Sequence, residues 1–131
     1  MATSSKGLPG LYVALQNGYV ECVRRYLDRV LASSLSDEIK QNLLRAKSSD
    51  GVPGLFEALQ NGHGECVKSY CRRVMDSTFS DEIKLDLLLA KSGKGFTGLF
   101  KALQNGHEAC VRDYLIVVMA SPFSDEVKKN C

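Results

Sequence analysis

Apolar residues fall in short blocks at helical spacing, and the blocks recur in a fixed order. Leu8, Leu11, Tyr12 and Leu15 lie three or four residues apart, which puts them on one face of a helix running from Pro9 to Gln16. Pro9 suits the first helical position, where no backbone N–H is needed. Asn17-Gly18 should close that helix, because a glycine there can take the left-handed conformation, and Gly62 and Gly106 recur in the same role. The second block starts at Tyr19 and carries Cys22, Val23, Tyr26, Leu27, Val30 and Leu31, the stripe of an amphipathic helix of about three turns. A third helix is expected after Ser36-Asp37-Glu38, where a capping serine and two acids suit the positive end of the helix dipole. Ile39, Leu43 and Leu44 should face inward from it. Ser80-Asp81-Glu82 and Ser124-Asp125-Glu126 restart this helix, the last one running out after Val127 to Cys131. No stretch shows the alternation of a β-strand.

These blocks belong to a repeat of 44 residues: Gly7–Asp50 aligns without a gap on Gly51–Lys94, with 26 of 44 positions identical, and a third copy runs from Gly95 to Cys131. A period in this range signals a stacked array. The first helix of each unit is too short to persist alone in water, so packing on its neighbours must hold it. The expected fold is therefore an all-α helical solenoid of three units (7–50, 51–94 and a truncated 95–131), about three helices each, after a tail at 1–6. Such arrays present extended surfaces to partners more than pockets for chemistry.

Composition narrows the partners. A formal charge of +2 with acids and bases interspersed gives no basic stripe for a phosphate backbone, so nucleic acid is not expected. No stretch reaches the roughly 18 apolar residues of a membrane span, and the opening Met-Ala-Thr-Ser-Ser-Lys-Gly lacks the apolar core of a cleavable signal peptide, so any export should use another route. Among five cysteines, Cys22, Cys66 and Cys110 occupy one repeat position. Stacked helices lie roughly 8–10 Å apart, whereas bridged α-carbons must come within about 7 Å. Pairing is not expected, burial of all three is, and Cys71 and Cys131 have no counterparts. A reducing, cytosol-like compartment follows.

His63 with Cys66, and His107 with Cys110, have the i, i+3 spacing of two metal ligands or of a thiol and its base. Tyr19 replaces the histidine in the first unit, no further ligands complete a set, and a catalytic group that recurs as a structural equivalent is not singular. Neither a metal, a cofactor nor catalysis is expected of these residues.

Gly51-Val52-Pro53-Gly54-Leu55-Phe56-Glu57-Ala58-Leu59-Gln60-Asn61-Gly62-His63-Gly64-Glu65-Cys66-Val67 resembles the first half of the ankyrin repeat, Gly-x-Thr-Pro-Leu-His-x-Ala-Ala-x-x-Gly-His-x-Glu-x-Val. Departures are a Pro-Gly pair (Thr97-Gly98 in the third unit) for Thr-Pro, an aromatic (Tyr12, Phe56, Phe100) for the first histidine, and a helix in place of the projecting hairpin. The phrase Pro53 to His63 is also similar to ankyrin-like regions of type III secreted effectors of enteric bacteria, the enterotoxin-like effector family. That resemblance implies a recognition module that binds a host protein, delivered by a bacterium into the host cell; the alternative is a regulatory or docking fragment of an effector enzyme whose catalytic domain lies outside this chain.

Candidate contact residues follow in three groups. Gln16-Asn17, Gln60-Asn61 and Gln104-Asn105 fall where ankyrin-type surfaces meet partners, although duplication and helix closure also account for their sameness. Leu8/Val52/Phe96 and Val13/Glu57/Lys101 change between units while the frame stays fixed, as expected of a surface tuned to one partner. Finally, Ile116 and Val117 replace charged residues of the earlier units (Asp28-Arg29, Arg72-Arg73), which predicts an uncovered apolar patch for self-association or for a following domain or partner.

Overall fold

The computed structural model describes residues 10–92 and 94–120, and every regular element among them is an α-helix. The first unit contributes α1 (Gly10–Asn17), α2 (Val20–Ala32) and α3 (Asp37–Arg45), the second α4 (Gly54–Gln60), α5 (Gly64–Asp76) and α6 (Asp81–Leu89), the third α7 (Gly98–Gln104) and α8 (Glu108–Val118). Leu8, Pro9, the tail at 1–6, the Ser124-Asp125-Glu126 segment and Cys131 lie outside the described residues. No helix among those described is long and apolar enough to cross a membrane.

Each helix packs against its counterpart in the next unit, giving three rows: α1, α4 and α7; α2, α5 and α8; α3 and α6. The core runs continuously through all three units, with Leu15, Leu27, Leu59, Val67, Tyr70, Leu88, Ala102 and Tyr114 almost fully buried. Close approach within the first row depends on glycine. A Cβ on Gly54 would lie 2.7 Å from Leu15 Cδ1, and one on Gly98 2.5 Å from Leu59 Cδ1. The Pro-Gly pair of the repeat is therefore a packing device as well as a helix start. Pro53 takes the N-cap position, one residue before the expected first helical position, with extended backbone (φ -67°, ψ 151°). In the third unit Thr97 caps instead, its hydroxyl accepting the Phe100 N–H at 3.2 Å.

The serine-acid start of the third helix forms as the pattern implies: Ser36 and Ser80 accept the N–H of Ile39 and Ile83. Its lysine has a second use. Lys40 and Lys84 donate to the carbonyls of Leu31 (3.1 Å) and Met75 (2.9 Å), which belong to the last turn of the second helix and lack a helical donor. The third helix ends without glycine, on Ala46 (φ 46°) and Ala90 (φ 49°) in the left-handed region.

Two inward assignments hold for the second unit but not for the first. Cys66 and Cys110 are buried, whereas Cys22 is exposed; Ile83 is half-buried, whereas Ile39 is 46% exposed. Both positions face the preceding unit, and among the described residues nothing precedes the first. The same logic acts in reverse at the other end. Phe56 and Leu59 are covered by the third unit, while their counterparts Phe100 and Leu103 are 43% and 57% exposed.

Candidate protein-binding surface

The joints between units are made by side chains of one unit reaching main-chain carbonyls of the unit before. His63 lays its ring over Gly18 and donates from Nε2 to the Gln16 carbonyl at 2.9 Å, and Asn61 Nδ2 donates to the same oxygen at 3.1 Å. His107 and Asn105 repeat this on Gly62 and the Gln60 carbonyl at 2.9 and 3.1 Å. A carbonyl can only accept, so Nε2 carries the proton in both rings. Tyr70 and Tyr114 add a buried donor each, to the carbonyls of Leu44 (2.8 Å) and Leu88 (2.7 Å) at the end of the preceding third helix.

These bonds account for several conspicuous residues. The amides of Asn61 and Asn105 are joint staples, so the structural explanation of their sameness has a concrete form. Only Asn17, exposed in the first unit, stands on the outer side of such a joint. The imidazoles of His63 and His107 are occupied in the same way. Burial pushes the thiols of Cys66 and Cys110 up to about 11, aided at Cys110 by Asp113, so both are neutral packing groups at ordinary pH.

Four of the positions that vary within the fixed frame, Val52, Glu57, Phe96 and Lys101, come together. Val52, Glu57, Gln60, Phe96 and Lys101 line one groove of about 690 Å³ along the first-helix row, with Phe56 in its wall and Asp50, Ser92 and Lys94 at its rim. Phe96 stacks on Phe100 with ring centroids 5.3 Å apart and planes 18° from parallel, and Lys101 Nζ lies 5.8 Å from the Phe96 centroid. Lys101 also donates to Gln104 Oε1 at 3.1 Å. At the other side Glu57 is held by Gln16 Nε2 at 3.4 Å and lies beside the Tyr12 hydroxyl. Burial first, and then that carboxylate, push the Tyr12 phenol up to about 12. The groove thus offers one exposed aromatic ring, Phe96, between a fixed acid and a fixed base. Val13 is half-buried on α1 outside this groove.

Glycine-turn geometry supplies the rim. Ser48 and Val52 are joined by a main-chain bond of 2.9 Å across a turn closed at Gly51 (φ 80°), and Ser92 and Phe96 by one of 2.8 Å across Gly95 (φ 87°). These turns place Val52 and Phe96 at equivalent points of successive units. The stacking partner Phe100 was not among the sequence candidates; its signal was the aromatic of the repeat, which is buried wherever another unit follows.

Ile116 and Val117 separate. Ile116 is 58% exposed, whereas Val117 is half-buried against the core, at the position where Arg73 meets Asp28 in the preceding joint. Ile116 instead joins Leu103, Gly106, Val111, Arg112 and Leu115 around a second, mostly apolar groove of about 740 Å³ on the end face of the third unit.

The described residues contain no cluster of three or more His, Cys, Asp or Glu suited to a metal. Comparison with known proteins found no matching family model, no matching curated protein and no matching solved structure.

Proposed function

We propose that the chain is a protein-recognition module, an ankyrin-like helical solenoid whose partner docks along the first-helix groove. One observation carries this reading: Val52, Glu57, Phe96 and Lys101, which differ between otherwise matching units, line one concave strip, and its Phe96 is exposed and stacked on Phe100. Aromatic side chains, phenylalanine among them, are enriched at the cores of protein interfaces, with a polar rim around them. His63 and His107 are committed to joints and Cys66 and Cys110 to the core, and the reading gives this chain binding, not catalysis. The similarity of Pro53 to His63 to enteric type III effectors supports a host protein as partner and a bacterial effector as the setting.

The test is capture from host-cell lysate by immobilised full chain, read by mass spectrometry, beside a Phe96→Asp, Lys101→Glu double variant. The expected result is a partner retained by the parent and lost at least tenfold by the variant, with helical circular dichroism unchanged. Equal capture by both would remove the groove from the reading.

A further inference from the structure

The end groove of the third unit is the same surface that in the first two units is filled. Leu15 and Leu59 receive Gly54 and Gly98; Gly18 and Gly62 receive the rings of His63 and His107; Arg24 receives Ser69 at 3.2 Å and Glu65 at 3.8 Å. The corresponding Leu103, Gly106 and Arg112 line an open groove, and a Cβ placed on Gly106 would meet nothing within 4 Å. What fills this surface elsewhere is therefore known: the first and second helices of a following unit.

The opposite end of the same chain offers that filler. The first unit leaves its leading face exposed at Gly10, Asn17, Tyr19 and Cys22, where the later units present Gly, Asn, His and Cys to the unit before. Leu35 on this face is 42% exposed, and its counterpart Phe79, covered by the first unit, only 5%. We propose that the end groove of one molecule receives the leading face of a second copy, so that the protein associates head to tail. Leu103 then packs on Gly10 of the second copy, Tyr19 of that copy lies over Gly106, and Glu21 of that copy reaches Arg112 as Glu65 reaches Arg24. Tyr19 in place of histidine forgoes one carbonyl bond, and Arg25 stands where Ser69 and Asp113 stand, so Arg112 meets a base as well as an acid. The contact is expected to be weaker than the internal joints. Because the two surfaces differ, each pairing leaves one groove and one leading face free, so the association does not stop at a dimer.

Sedimentation equilibrium of the full chain under reducing conditions tests this. The weight-average mass should climb above 14.4 kDa with concentration and pass the dimer value. Leu103→Glu blocks the groove and Cys22→Arg blocks the leading face; both side chains are exposed in the monomer, and Ile116→Asp with Tyr19→Asp form a second pair should either first variant lose helix. Each variant alone should be monomeric, while an equimolar mixture should give dimers and nothing larger, since one intact groove and one intact face remain. A parent that stays monomeric to millimolar concentration, a variant that still dimerises by itself, or a folded mixture that fails to pair would each overturn the proposal. Capture of a host partner is read independently, because the first-helix groove is untouched by these substitutions.

Discussion

At Gly62 two constraints coincide, a backbone at φ 76° and a histidine ring lying 2.7 Å from where a Cβ would stand, whereas Gly106 at φ 73° has the first constraint without the second. Gly106→Val should therefore cost about 1–2 kcal/mol of backbone strain, and Gly62→Val at least ~1 kcal/mol more, as the ring and its carbonyl bond are displaced. Urea denaturation of the two variants checks this, and equal losses would mean that the ring yields freely. The cysteines give a second prediction. Thiol titration of the native chain at pH 8 should lose one fast-reacting group in Cys22→Ser and none in Cys66→Ser or Cys110→Ser. Because burial holds the protons of Cys66 and Cys110 up to about 11, against roughly 8.5 for an unfolded thiol, the unfolded state releases them first. Their contribution to stability is complete below about pH 8.5 and is lost as the pH rises toward 11. Stability measured across that window should fall, and less steeply in Cys110→Ala.

At the scale of elements, the second helix is pinned at its middle and the third at its start. Tyr70→Phe removes a buried donor and strands the Leu44 carbonyl, a loss of about 1–2 kcal/mol. Ser80→Ala, at an exposed cap, should cost about 1 kcal/mol, and thermal melts should rank the two in that order. Helix type and order, and the stop of the first helix in each unit, were legible in the chain because the 3.6-residue stripe and the Asn-Gly corner are local signals. The end of the third helix was not, since Ala46 and Ala90 hold a left-handed conformation that the sequence would assign to glycine. Nor was the burial of Cys22 or Ile39 decidable from a stripe: the same side chain is core or surface according to whether a unit lies before it. The candidate groove was half legible. Variation between units pointed to Val52, Glu57, Phe96 and Lys101, but Asn61 and Asn105 proved to be staples, a distinction that needs the position of a carbonyl in another unit.

For the whole molecule the two joints differ in kind. Between the first and second units run Arg73–Asp28 at 2.8 Å, Arg45–Asp86 at 2.6 Å and Arg24–Glu65 at 3.8 Å. In the next joint the counterparts of Arg73 and Glu65 are Val117 and Ala109, so the same places carry apolar groups. Exposed pairs of this sort contribute up to about 1 kcal/mol each and are screened by salt. Raising the salt concentration to 0.5 M should accordingly lower stability by about 1 kcal/mol or less, and Asp28→Asn should remove part of that dependence. An increase of stability with sodium chloride would contradict this account. The histidine staple has a different implication. It grips a peptide oxygen and a bare glycine, features that every unit displays whatever its side chains, so a further 44-residue segment spliced in after Asp50 would find a matching socket on either side. Reach along the first-helix row is in that sense quantised: it grows by whole segments, each bringing its own new set of groove side chains while leaving the grip of its neighbours unchanged.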